Sequence, residues 1–362
     1  MTDYRIASIP GDGIGKEVVP AARNVVDAAG EKFGFRCDWT SFNWGCERYA
    51  ATGLMMPENG LEQLREHQAI LLGAIGYPGV PDHLSLWGLL IPIRRTFEQY
   101  INLRPVRLLP GIRSPLADRQ PEDIDFVVVR ENNEGEYSEI GGRLYQGTSY
   151  EMVVQQAVFT RRGVDRVIRY AFELARSRPA RHLTSATKSN GIMHSMPFWD
   201  ERFHALSGEY PDVAVDQFHI DILSAQLVQH PDWFDVIVAS NLFGDILSDI
   251  GPAIAGSIGM APGANLNPAG EHPSMFEPVH GSAPDIAGKG VANPIGQTWT
   301  AAMMLDHLGE QEAARAIVGA IEAHVVEGTL LTQDLGGDAT TDAVAKALVD
   351  RVRTDGSRES RT

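Results

Sequence analysis

The sequence predicts an α/β protein. Short apolar runs of strand composition recur at residues 4–9, 69–73, 126–129, 182–187 and 235–240. Stretches of helical periodicity stand between and after them, and glycine-rich turns join one kind to the other. At 362 residues, with 43% hydrophobic and 22% charged side chains, the chain suits two domains or one large α/β unit with a sizeable core.

The elements follow in order. Residues 4–9 form a buried strand, and Pro10-Gly11-Asp12-Gly13-Ile14-Gly15 turns at once into a helix over residues 16–29. Glycine here either closes a tight turn or lets backbone N–H groups approach a ligand. The G-x-G-x-x-G spacing of a dinucleotide fingerprint is absent. After the strand at 69–73 come Arg94, Arg95, Arg104 and Arg107, and Arg130 ends the run Phe126-Val127-Val128-Val129. Guanidinium forks bind carboxylates two oxygens at a time, so the group reads either as an anion site or as surface arginines paired with neighbouring acids.

Arg130-Glu131-Asn132-Asn133-Glu134-Gly135-Glu136-Tyr137 follows a strand end, where α/β proteins place chemistry. Its tyrosine is a proton donor or a cap on the sheet. Residues 141–149 are long enough to project as an arm, and residues 150–160 alternate partly like a strand. The strand at 182–187 delivers Lys188-Ser189-Asn190, a lysine that is a base or a solvated charge. His219-Ile220-Asp221 precedes a helical pattern over 223–228, with Asp221 suited to an N-cap.

The strand at 235–240 leads into Asn241-Leu242-Phe243-Gly244-Asp245-Ile246-Leu247-Ser248-Asp249-Ile250-Gly251. At helical spacing Ile246, Leu247 and Ile250 turn to a core, and Asp245 and Asp249 share another face. Like charges four apart cost a helix roughly 0.2–0.5 kcal/mol, which a hard divalent cation would remove; the plain alternative is a solvated acidic face. A Gly- and Pro-rich loop fills residues 277–289, and helices are expected over 298–308, 310–326 and 342–352. The polar tail from Thr354 is expected to fray.

Lys+Arg 31 against Asp+Glu 47 gives a formal charge of −16, which argues against nucleic acid or anionic membrane as partners. Cys37 and Cys46 have no metal-ligand spacing, so a reducing cytoplasm is the expected compartment. The first ten residues lack the pattern of a signal peptide, and Gly, Pro and Asp interrupt the apolar stretch 246–261, so no membrane span is expected.

INLRP at 101–105, RENNEGEY at 130–137, TKSN at 187–190, NLFGDILSD at 241–249 and EPVHGSAPDIAGKG at 277–290 together resemble the isocitrate/isopropylmalate dehydrogenase family. The likeness covers nearly the whole chain. It implies a two-domain α/β fold around a long mixed sheet, distinct from the Rossmann fold. The larger, cofactor-binding domain would comprise residues 1–100 plus 257–362. The smaller would comprise residues 101–256, make a homodimer with shared active sites, and carry a clasping arm at about 141–160.

The resemblance also implies roles. Arg94, Arg104 and Arg130 would hold the malate-like part of a substrate. Asp245 and Asp249, with Asp221 from the second copy, would bind magnesium or manganese. Tyr137 and the second copy's Lys188 would be acid and base. His280, Gly281, Ser282, Ala283, Asp285, Ile286 and Asn293 would hold the adenosine end of the cofactor, with Ile14 and Asn190 toward the nicotinamide. Whether a monovalent cation is also needed is left open.

Asp285-Ile286 stands where the NADP branch has lysine and tyrosine. A carboxylate there accepts ribose hydroxyls and repels a 2′-phosphate, so NAD is expected. Six and four positions before Arg94, where the isocitrate branch has serine and asparagine, this chain has Gly88 and Leu90. Seven before it, the usual isopropylmalate-branch glutamate is replaced by Trp87, which either fills the isopropyl space or packs in the core. Leu-Trp-Gly with His219-Ile220-Asp221-Ile222-Leu223 resembles the branch that acts on tartrate and D-malate. Oxidation with decarboxylation of a small 2R-hydroxy diacid is therefore expected. The rivals are the isopropylmalate reaction and a non-catalytic regulatory subunit of the same fold. Pro92 is expected to kink the helix before Arg94.

Overall fold

The computed structural model describes residues 2–354; the expected fraying of the tail falls on 355–362, outside the described residues. The chain opens with β1 (Thr2–Gly11), α1 (Gly15–Phe33), β2 (Phe35–Ser41), α2 (Cys46–Thr52), α3 (Gly60–Arg65) and β3 (Ala69–Ala74). A composite helix follows: α4 (Asp82–Ser85), a π-helical turn (Leu86–Leu90) and α5 (Ile91–Thr96). Then come β4 (Ile101–Arg107), β5 (Asp125–Glu131), β6 (Gly141–Leu144), β7 (Met152–Gln155), α6 (Arg161–Ser177), β8 (His182–Thr187), α7 (Ser195–Ser207), β9 (Ala214–His219) and α8 (Ile220–Gln229). The last third holds β10 (Val236–Ala239), α9 (Asn241–Ile254), β11 (Ala264–Leu266), β12 (Ser274–Phe276), α10 (Ile295–His307), α11 (Gln311–Glu327) and α12 (Thr341–Thr354).

Ten strands form one mixed sheet in the order β2-β1-β3-β12-β11-β4-β5-β10-β8-β9. Both ends are parallel, and the directions reverse in the middle, at β12-β11, β11-β4 and β4-β5 in the order above. β4 pairs antiparallel with both β11 and β5, which sets Asn102 opposite Asn265 on one side and opposite Arg130 on the other. Side chains alternate across the sheet with period two. Ile6, Leu71 and Phe276 feed the main core beneath α1, whereas Ile9, Ile70, Leu72 and Met275 feed a second core on the opposite face with Leu89, Ile93 and Phe97. That second core clamps the composite helix and fixes the backbone from which Arg94 projects.

α1 packs on β1 and beside α10, α11 and α12, while α6 covers β5, β8 and β10. α9 lies against β4 and β5, and its core face is Phe243, Leu247 and Ile254. Ile246, expected in the core, is 43% exposed, beside Leu242 at 36%. The helix is rotated so that its glycines, not Ile246, meet the sheet: a Cβ on Gly244 would fall 2.5 Å from Arg130 Cβ, and one on Gly251 2.4 Å from Val106 Cγ2. Asp221 is likewise not the N-cap of α8. That position is His219, and Asp221 lies in the first turn.

The arm is an exposed antiparallel ribbon, β6 with β7, shorter than the strand expected over 150–160 because Val158 leaves it to bridge Gly135. No described helix is long and apolar enough to cross a membrane. Gly244→Ala is expected to push α9 off β5 at a cost of about 1–3 kcal/mol. Urea unfolding would register that loss as a lowered midpoint.

Candidate active site

Pro92 occupies the second position of α5. It has no N–H to donate, and its ring would collide with the carbonyl of Gly88 in a regular α-helix. The preceding turn widens instead, and the N–H of Ile91 reaches the carbonyl of Leu86, five residues back. The expected kink is thus a π-turn, which carries Trp87 and delivers Arg94 and Arg95 on successive positions of α5.

Three guanidiniums converge behind β4 and β5. Arg94, Arg104 and Arg130 are 4%, 7% and 2% exposed. Arg94 pairs with buried Glu277, whose carboxylate also accepts Asn265 Nδ2 at 2.9 Å. Asn265 Oδ1 accepts Asn102 Nδ2 at 2.8 Å, and Asn102 Oδ1 accepts Arg104 Nε at 2.6 Å. Arg130 donates through Nε and Nη2 to Asn241 Oδ1, at 3.1 and 2.7 Å, and through Nη1 to Asp245. Burial, then the charges of Arg130 and Arg94, brings Arg104 down to about 10; the Glu277 and Asp245 charges oppose this. Its side-chain hydrogen bond to neutral Asn102 leaves it the guanidinium most in want of an anion. Arg94 Nε is buried and has no hydrogen-bond partner among the described residues.

Across from these cations lies the acidic face of α9. Asp245 Oδ2 accepts the Tyr137 hydroxyl at 2.7 Å, and the Arg130 guanidinium lies 5.4 Å from the centre of the Tyr137 ring. Burial raises the Asp245 carboxyl, but Arg130, the tyrosine hydroxyl, Arg104 and Arg94 together bring it below its ordinary value. Asp249, one turn on, moves the other way, raised by burial and then by the charge of Asp245. Burial and the Asp245 hydrogen bond push Tyr137 up to about 12, so its hydroxyl stays protonated.

The segment carrying Tyr137 is tied down residue by residue. Glu131 accepts the N–H groups of Asn133 and Glu134 at 3.0 and 2.9 Å. Glu134 accepts Thr160 N and Oγ1 at 2.8 and 2.9 Å. Glu136 caps α9, accepting Ser240 Oγ at 2.8 Å and Leu242 N at 3.0 Å. Arg95 Nη2 donates to the Tyr137 carbonyl at 3.0 Å. Of the arginines read together in the sequence, Arg95 and Arg107 stand outside the buried trio: Arg107 pairs with Glu322 at 2.9 Å, and Arg95 with Glu139 at 2.8 Å. Trp87 is half-buried, and the Arg95 guanidinium lies 5.0 Å from its ring centre, so it is not a core residue.

Lys188 and Asp221 form a separate pair at 2.8 Å, with Asp221 66% exposed. Among the described residues no three His, Cys, Asp or Glu side chains converge, so within one chain Asp221 does not join Asp245 and Asp249. The proposed cofactor residues divide as well. Ile14 donates its N–H to the Ser282 carbonyl at 2.9 Å and packs with Ala283, Ile286 and Ala292. Gly13 (φ +53°) permits that approach, since a Cβ there would stand 2.0 Å from the Ser282 carbonyl oxygen. His280 is buried with its pKa lowered by desolvation, and Asn293 Nδ2 donates to Asp334 at 2.9 Å. Gly281, Asp285 and Asn190 are exposed.

Residues 5–352 match the isocitrate/isopropylmalate dehydrogenase family. The chain belongs to this family. It is 58% identical over 355 residues to D-malate dehydrogenase (decarboxylating) of Escherichia coli strain K12, covering 96% of this chain and 98% of that one. It is 54% identical to tartrate dehydrogenase/decarboxylase of Pseudomonas putida, covering 96% and 97%. The isocitrate dehydrogenase structure from Methylococcus capsulatus superposes with a TM-score of 0.87 at 35% identity, covering 97% of this chain and 99% of that one. The chain is therefore a decarboxylating hydroxy-acid dehydrogenase of this family and has its fold.

Sequence reasoning passed over several residues that build this family site. Asn241 and Glu277 begin two of the quoted motifs, but neither spacing nor residue type marks an acceptor for a buried arginine. Asp12 is buried and accepts the N–H groups of Cys46 and Gly76 at 2.9 and 3.1 Å, joining the first turn to α2 and the end of β3. Its position between two glycines was the available signal.

Glu131 is 1% exposed, and burial raises its carboxyl from 4.5 to about 7. Its folded pKa is the higher one, so the protonated form is favoured in the folded state. The resulting stability is fully present below 4.5 and is lost as pH climbs to about 7. The loss is of the order of 3 kcal/mol. Glu131→Gln is expected to flatten this part of the stability profile, measured by urea unfolding from acid to neutral pH.

Proposed function

We propose that this chain oxidises and decarboxylates small 2R-hydroxy diacids with NAD and Mg²⁺ or Mn²⁺, converting D-malate to pyruvate and CO₂ and also oxidising tartrate. The observation that carries the reading is the set of three buried guanidiniums facing Asp245, Asp249 and Tyr137. Cations with so little solvent and so little neutralisation suit a substrate with two carboxylates. The names of the relatives support the same substrates.

The carboxylates fit a divalent cation. Asp245 and Asp249 stand one turn apart on one face of α9; burial, and then the charge of Asp245, raise the Asp249 carboxyl, and a hard cation between the two would relieve both. Asp245 retains lone pairs beyond its bonds to Arg130 and Tyr137. The third ligand would be Asp221 and the base Lys188, both from a second copy. Exposed Ile222, Leu242 and Ile246 on α8 and α9, with Tyr145, Tyr150 and Val153 on the arm, supply the apolar surface for such a homodimer. The two-domain division at residues 1–100 plus 257–362 and 101–256 belongs to the same reading, as does a cytoplasmic location. When bound, NAD and the cation supply a hydride acceptor and a Lewis acid that stabilises charge on the substrate oxygen.

The protein's own residues do the remainder. Arg94, Arg104 and Arg130 hold the two carboxylates. As C2 loses its hydrogen as hydride, Lys188 takes the hydroxyl proton. The bond from C3 to its carboxylate then breaks with loss of CO₂, and Tyr137 delivers a proton to C3. A hydroxyl kept protonated by burial is suited to that donation.

Substrate choice rests on the composite helix. A Cβ on Gly88 would lie 2.7 Å from Met55 Cγ, so a serine at that position displaces core packing as well as adding a hydroxyl. By count from Arg94, Trp87 stands where the isopropylmalate branch has glutamate, and the bulk of its half-buried indole favours a small C3 substituent. For the cofactor, the exposed Asp285 carboxylate accepts ribose hydroxyls and repels a 2′-phosphate.

With NAD and Mn²⁺, kcat/KM is expected to rank D-malate first and 3-isopropylmalate below tartrate, with equimolar NADH and CO₂ from D-malate and no turnover in excess chelator. A preference for 3-isopropylmalate, or turnover that survives chelation, refutes the reading. NAD should exceed NADP in kcat/KM by at least about 100-fold, and Asp285→Lys should narrow that ratio. An unaltered ratio in the variant removes Asp285 from cofactor choice.

A further inference from the structure

We infer that Arg95, seated on the Trp87 indole, is the positioning residue for Tyr137. The inference rests on the proposed role of Tyr137 as proton donor to C3. Arg95 has three restraints. Its guanidinium lies 5.0 Å from the Trp87 ring centre, its Nη1 reaches Glu139 Oε2 at 2.8 Å, and its Nη2 reaches the Tyr137 carbonyl at 3.0 Å. Glu139 is 69% exposed and contributes little. The stacking and the carbonyl bond therefore define the geometry.

The other ties on this segment come from elsewhere in the fold. Glu131 holds its own loop, Gly135 is bridged by Val158, and Glu136 is fixed to the start of α9. Arg95 is the tie on the Tyr137 carbonyl itself, and it comes from the helix that carries Arg94. It therefore sets the height of the Tyr137 hydroxyl relative to a substrate held by Arg94. Arg95 does not touch Asp245 and needs no contact with substrate. Its effect passes through the Tyr137 backbone, so it belongs to proton delivery and not to hydride loss. Trp87 thereby acquires a second task beyond lining the pocket, as the platform that keeps the guanidinium level.

The test is a single turnover of D-malate with NAD and Mn²⁺, following NADH by absorbance and pyruvate by rapid quench. In Tyr137→Phe, NADH formation should stay fast while pyruvate formation slows. Arg95→Ala should give the same separation, with NADH within about twofold of the parent and pyruvate slowed about tenfold. Arg95→Lys, which keeps a cation and a donor but not the planar fork stacked on the indole, should recover only a minor part of that loss. The double variant should match Tyr137→Phe alone, because residues that act through one group are not additive. Trp87→Leu should show a smaller loss of the same kind, and an unaltered partition there overturns the part assigned to the indole.

If Tyr137→Phe slows both steps together or neither, the assignment of Tyr137 fails. If it separates them but Arg95→Ala does not, or if the two losses multiply in the double variant, the inference about Arg95 alone is overturned. Should the alanine variant not fold, Arg95→Gln, a shorter neutral side chain whose amide stops where Nε stands, keeps the apolar stem and is read by the same partition.

Discussion

Three buried arginines set the terms for the whole structure. Each has given up most of its hydration, and together they have fewer buried anions beside them than their charge requires. Glu277, Asn241 and Asp245 hold two of them, and the third relies on an asparagine. Such a cluster persists only if the surrounding backbone cannot relax away from it. The antiparallel middle of the sheet supplies that rigidity. Asn265, Asn102 and Arg130 stand side by side on β11, β4 and β5, so the polar chain from Glu277 to Arg104 runs across hydrogen-bonded strands.

The acidic helix is fitted to this frame by absence of side chains. Gly244 and Gly251 let α9 sit directly on Arg130 and Val106. With the glycines inward, Asp245 faces the guanidiniums, while Leu242 and Ile246 turn to solvent. The same rotation that spoils the simplest amphipathic reading of this helix joins the acid to its arginine. Glu136 then fixes the helix start and the Tyr137 segment with one carboxylate.

Much of this was legible in the chain itself. The strand runs were readable because buried parallel strands are short and apolar, and the motifs that carry Tyr137, Asp245 and Asp249 lie directly after them. The orientation of Ile246 was not readable, since helical periodicity counts apolar residues and is blind to glycines that bring two backbones together. Asp221 looked like a cap because its neighbours suit one. Its place in the first turn, paired with Lys188, depends on how β8 and α8 are set beside each other. Trp87 could be read as core or as wall; it is half-buried beneath Arg95, a contact that spacing does not encode and that takes it out of the core.

The widened turn over Leu86–Leu90 alters what the residues ahead of Arg94 can be compared with. A turn closed five residues back places the upstream side chains at a different azimuth from those of an evenly wound helix. Two relatives can therefore hold different residues at the same count from the arginine without those residues pointing at the same spot. It also means that the imino ring of Pro92 governs the bearing of Trp87 from a distance. A single exchange at Pro92 that let the coil tighten would swing the indole around the axis and take its ring from beneath the Arg95 guanidinium, with no other residue changed.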